Sequence, residues 1–97
     1  MRPSEALARN IDAVREIIAR YPVSNPRVFG SVARGEDTEG SDVDILVEPQ
    51  FGVTTFIHLM ELEEELAELL GNRVDVVTPG GLRKPVADRI SREVKPL

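Results

Sequence analysis

The segment Phe29-Gly30-Ser31-Val32-Ala33-Arg34-Gly35-Glu36-Asp37-Thr38-Glu39-Gly40-Ser41-Asp42-Val43-Asp44-Ile45-Leu46-Val47 sets two strands around a polar loop. Arg27, Val28 and Phe29 form a short β-prone run that closes on Gly30. Asp42 to Glu48 alternates polar and β-branched residues, which predicts a second strand, and Pro49 ends it. Between them, Ser31 to Gly40 is small and polar, as a turn and loop require.

Outward from this centre the periodicity changes. Upstream, Leu7, Ile11, Val14 and Ile18 recur at helical spacing and predict one helix from Ser4 to Arg20, with Ser4 as N-cap and Pro22 as the stop. Downstream, Thr54 or Thr55 caps a helix running to about Leu70, with Phe56, Leu59, Leu62, Leu66 and Leu69 as its buried stripe. Gly71 follows where a left-handed C-cap belongs. Arg73 to Thr78 reads as a third strand, and Pro79-Gly80-Gly81 as a turn. Leu82, Val86, Ile90 and Val94 predict a last helix, with Pro85 in its first turn, where a missing N–H does no harm. The expected fold class is α/β (α+β): a small mixed sheet flanked by helices, in one domain spanning 1–97.

Composition narrows the function. With 97 residues, 41% hydrophobic and 30% charged, the chain can bury a small core of its own. Its net charge of −5 disfavours gripping a nucleic-acid backbone, although metal ions would allow a nucleotide to be handled. There is no Cys, which excludes disulfides, thiolate chemistry and Cys-based zinc sites. No signal-peptide core and no membrane-length apolar run is present, so a cytoplasmic protein without membrane contact is expected.

The chemistry lies in Gly30-Ser31, ten intervening residues, and then Asp42-Val43-Asp44. A strand alternates its faces, so Asp42 and Asp44 point the same way while Val43, Ile45 and Val47 pack on the other. Two residues of strand rise span roughly 7 Å, close enough for two carboxylates to share cations. Left unscreened they repel, and a hard cation such as Mg²⁺ resolves this with a few carboxylates plus phosphate oxygens. Asp75 stands between Val74 and Val76 in the later strand and joins the cluster if that strand pairs alongside. It can bind metal or take a proton from an acceptor hydroxyl. Gly30 lets the backbone approach a ligand, Ser31 offers an N–H and a hydroxyl at the start of a short helix, and Arg34, one turn on, can clamp a β- or γ-phosphate. The loop is neither a Walker A motif nor a dinucleotide fingerprint.

Simpler readings compete at each position. Asp42 and Asp44 as idle surface residues are disfavoured, because Asp is unfavoured in strands. Asp75 as a solvated strand-edge residue stays open, as does Arg34 as a solvated arginine. Glu36, Asp37 and Glu39 read as a solvated loop. Glu61, Glu63, Glu64, Glu65 and Glu68 read as a solvated helix face, with a basic partner surface as the alternative. His58, the only histidine, reads as a surface residue.

The text from Phe29 to Val47 resembles the minimal branch of the polymerase-β-like nucleotidyltransferase superfamily, and the likeness extends from about Arg27 to Thr78. The resemblance implies that Ser31 contacts triphosphate, that Asp42 and Asp44 bind Mg²⁺, and that Asp75 is the third carboxylate. It further implies transfer of AMP from ATP to a protein hydroxyl, a tyrosine of a partner HEPN-domain toxin, with the chain acting as antitoxin. Larger relatives carry an added acceptor-binding domain; no such domain is expected here, and the acceptor surface is expected from a partner, a second copy, or the acceptor protein itself. Two alternatives stay open: a non-catalytic antitoxin working by occlusion, and transfer to a small molecule.

Overall fold

A computed structural model describes residues 1–97. The elements are α1 (Pro3–Arg9), α2 (Ile11–Ala19), β1 (Val23–Phe29), α3 (Gly30–Arg34), β2 (Val43–Pro49), α4 (Phe56–Leu70), β3 (Val74–Val77), a 3-10 turn (Pro79–Gly81), α5 (Lys84–Ser91) and β4 (Lys95–Pro96). The sheet order is β3-β2-β1-β4. β1 runs antiparallel to both β2 and β4, while β2 and β3 are parallel. This is the expected mixed sheet with helices.

The core lies on one face of the sheet. Val43, Ile45 and Val47 are fully buried there, as their alternation requires. Val28, Val74 and Val76 join them, beneath Leu7, Val14 and Ile18 from the N-terminal helices and Leu62, Leu66 and Leu70 from α4. The opposite face carries the acidic residues, and farther along it Leu46 is buried at 5% exposure. Helix α5 reaches that face with Ile90 as its only buried residue. Leu46, Leu82, Ile90 and Val94 line a cavity of about 420 Å³ between α5 and the sheet.

Five expectations need correction. The N-terminal helix is two helices, because Asn10 (φ −114°, ψ 19°) leaves helical geometry and its side-chain amide donates to the Ala6 carbonyl. Ser4 is not its N-cap: Pro3 occupies the first turn, and the Ser4 N–H donates to Asp37 Oδ2 at 2.8 Å. Asp37 is therefore no solvated loop residue but 3% exposed. The first strand begins at Val23 rather than Arg27, since the Asn25-Pro26 irregularity interrupts its pairing to β2 without ending it. Phe56 is 74% exposed, and the α4 stripe is Leu62, Leu66 and Leu70, with Leu59 and Leu69 only half-buried. The expected Leu62 and Leu66 form its centre, Leu70 is buried where Leu69 was expected, and Phe56 at the N-terminal end stays in solvent.

The last helix is shorter than expected, Lys84–Ser91, which leaves Leu82 and Val94 outside it, and the short strand β4 follows unannounced by the sequence; the caps of α4 stand. Thr55 caps α4 by accepting from the His58 N–H, and Gly71 closes it at φ +70°. Glu63 departs from a purely solvated face: its carboxylate accepts the Val76 N–H at 2.8 Å and so covers a donor on the edge strand β3. No helix is long and apolar enough to cross a membrane.

Candidate active site

β2 delivers the acids. Asp42 immediately precedes it, and Val43 N–H donates to the Arg73 carbonyl at 2.9 Å, which fixes this end of β2 against the start of β3. Asp44 then pairs in register with Asp75 on the parallel strand, and with Phe29 on the other side. The strand that sequence reasoning placed conditionally beside the Asp pair is thus its direct neighbour. Asp42 and Asp75 have side chains 40% and 36% exposed, and Arg73 Nε stands 3.8 Å from Asp42 Oδ2 and 3.6 Å from Asp75 Oδ1.

Crowding shows in the electrostatics. Burial pushes the Asp44 carboxyl up from 3.8 to about 6, and the charges of Asp75 and Asp42 push in the same direction, against Arg34. Asp44 thus lies in the field of both neighbouring carboxylates. No group of three His, Cys, Asp or Glu side chains is drawn together into a ready-made metal cage. Mg²⁺ in nucleotide sites is held by one or two carboxylates together with substrate phosphates. As a donor set, Asp42, Asp44 and Asp75 fit such an ion.

Gly30 closes the other side. It follows β1 as the first residue of α3, at φ +74°, and a Cβ there would collide with Asp44 Oδ2 and lie 3.4 Å from Asp44 Cγ. Only glycine brings this backbone so close to the acidic strand. Ser31 follows in the first turn of α3, whose Val32 and Ala33 anchor it in the core. Arg34, at the end of α3, donates from Nε to Glu36 Oε1 at 2.8 Å and from a terminal nitrogen to Glu93 Oε2 at 2.9 Å.

Two residues of this neighbourhood escaped the sequence reading. Arg73 borders the acids and was visible only as the first residue of a strand. Glu93 comes from the turn after α5, and its Oε1 also accepts the Gly30 N–H at 3.1 Å. The hydrogen bond from Arg34 holds its carboxyl below the ordinary range. Nothing in the local sequence signals this contact across 63 positions.

A glycine–serine turn set against paired acidic strands is the frame of a nucleotide-transferring domain. Residues 11–96 match the family described as Nucleotidyltransferase domain, and the chain belongs to that family. Within it, the chain is 44% identical over 80 residues to Protein adenylyltransferase MntA of Thermococcus cleftensis, covering 82% of this chain and 80% of that protein. A solved structure provisionally described as a minimal nucleotidyltransferase superposes with TM-score 0.84 at 41% identity, over 97% of this chain and 95% of that one. The fold also recurs, with TM-score 0.64 at 21% identity over 97% of this chain and 70% of that one, in a complex of an MNT antitoxin with a tri-AMPylated HEPN toxin of Shewanella oneidensis.

Proposed function

We propose that this nucleotidyltransferase is a protein adenylyltransferase: it moves AMP from ATP onto a hydroxyl, a tyrosine, of a partner HEPN-domain toxin in the cytoplasm, and so acts as its antitoxin. The observation that carries the chemistry is the in-register pairing of Asp44 with Asp75, next to Asp42, on a face that Gly30 approaches closely. The names and partners of the relatives support the acceptor.

Asp42, Asp44 and Asp75 would hold Mg²⁺, which when bound neutralises the triphosphate and offsets charge at the α-phosphorus. Gly30 keeps the turn close to the acids, and the N–H groups of Gly30 and Ser31, the Ser31 hydroxyl and the Arg34 guanidinium bind phosphate oxygens. Asp75 lies nearest the sheet edge and accepts the proton of the acceptor hydroxyl as its oxygen bonds to the α-phosphorus. The bond to the β-phosphate bridge breaks, and pyrophosphate leaves.

The test is incubation with ATP, Mg²⁺ and a HEPN-domain protein encoded beside this chain, read by intact mass and peptide mapping. A gain of one or more AMP units on tyrosine is expected, abolished by Asp42→Asn with Asp44→Asn. If folded proteins gain no mass, and neutralisation survives the double change at full strength, occlusion replaces transfer as the function.

A further inference from the structure

Glu93 is a carboxylate seated on the two donors that the proposed function assigns to phosphate. One oxygen accepts the Gly30 N–H at 3.1 Å and the other accepts from Arg34 at 2.9 Å. Its side chain is only 19% exposed, so the contact is enclosed rather than incidental. The segment bearing it is tied down on both sides: Glu93 N–H donates to the Ile90 carbonyl, and β4 pairs Lys95 with Val28 on β1. A carboxylate and a phosphate oxygen offer the same donors the same anionic acceptor, and both cannot use them at once.

We propose that Glu93 is the resident counter-ion of the phosphate-binding pair, a positioning residue whose carboxylate is exchanged for a phosphate group when nucleotide binds. In the free protein it holds Arg34 across the turn and keeps the Gly30 N–H oriented. On binding the side chain swings away while its backbone stays held by the Ile90 carbonyl and the β4 pairing. This inference rests on the assignment of Gly30 and Arg34 to phosphate made above.

The test compares Glu93→Gln with Glu36→Gln, using ATP and inorganic tripolyphosphate as probes in calorimetric titration with and without Mg²⁺. Both changes remove one negative charge that bonds Arg34, but only Glu93 also occupies the Gly30 N–H. Competition by a bound internal group lowers apparent affinity by the fraction of time it occupies the site, so Glu93→Gln is expected to tighten both probes about tenfold. Glu36→Gln should change them by less than about twofold, as a screened surface charge does. Equal tightening by both variants, or weaker binding in Glu93→Gln, overturns the exchange while leaving the nucleotide site intact. Failure of the folded wild type and of both variants to bind either probe overturns the site assignment itself and the exchange with it. Should Glu93→Gln misfold, the wild-type Gly30 amide resonance decides: it must shift on saturation with tripolyphosphate, and an unmoved resonance overturns the exchange.

Discussion

Gly30 and Asp44 are packed so closely that a single methyl group on Gly30 would occupy the space of the Asp44 carboxylate. The turn therefore carries glycine for two separate reasons, its φ of +74° and this contact. Gly30→Ala is expected to cost about 1–3 kcal/mol, as enforced backbone strain does. It should lower AMP transfer by roughly a hundredfold through displacement of Asp44. Chemical denaturation and transfer rates measured on the same preparation check this. Unchanged transfer would show that the close approach is only a packing solution.

Stability should fall with rising pH through the Asp44 titration when no metal is present. Its carboxyl titrates at about 6 in the fold against an ordinary 3.8, so the folded state holds the proton more tightly. Stability gained below the ordinary value is lost as pH rises from about 4 to 6. Because Asp44 is only half-buried, solvent screening reduces the effect to about 1 kcal/mol. Asp44→Asn should remove this dependence and raise stability at pH 7 by a similar amount, measured by urea denaturation in chelator. Mg²⁺ with ATP should stabilise the wild type at pH 7 and leave Asp44→Asn unaffected.

Asp37 holds the first helix to the loop after α3. Burial is the largest single influence and raises its carboxyl, but the hydrogen bonds from Ser4, a further backbone bond and the Arg2 charge together outweigh it, and the net shift is downward. Asp37→Ala leaves the Ser4 N–H without its partner and should cost about 1–2 kcal/mol, the usual magnitude for loss of a helix N-terminal cap. Faster amide exchange at Ser4 and Glu5 would accompany it. Exchange unchanged there would mean that Pro3 and Arg2 suffice to start the helix.

Leu62 and Phe56 should behave in opposite ways, although the expected stripe grouped them together. Leu62 is fully buried, and Leu62→Ala should cost about 2–5 kcal/mol. Phe56→Ser should stay within about 0.5 kcal/mol, because the ring is largely in solvent. Thermal melts of the two variants separate the assignments directly.

Much of this molecule follows from periodicity along the chain. A strand repeats every two residues, so Asp42 and Asp44 had to share a face once Val43, Ile45 and Val47 were committed to the core. Thr55 and Gly71 bound their helix by backbone rules that act within a few residues. The limits of a stripe are less secure: Leu69 and Leu70 differ little in sequence pattern, and packing against the sheet buries Leu70 while leaving Phe56 in solvent. Asn10 and the Asn25-Pro26 bulge were missed because each is a single-residue departure inside an otherwise regular run.

The chain alone determined which residues are acidic, where strands and most helices lie, and that Gly30-Ser31 precedes a same-face carboxylate pair. Tertiary structure decided what stands beside them: Asp75 next to Asp44, Arg73 between the outer acids, Asp37 under Ser4, and Glu93 on Gly30 and Arg34. The physical reason is range. Dihedral preferences and side-chain alternation act over a few residues, whereas strand neighbours are chosen by common burial of valines and isoleucines distant in sequence, and that choice brings the distant polar groups together.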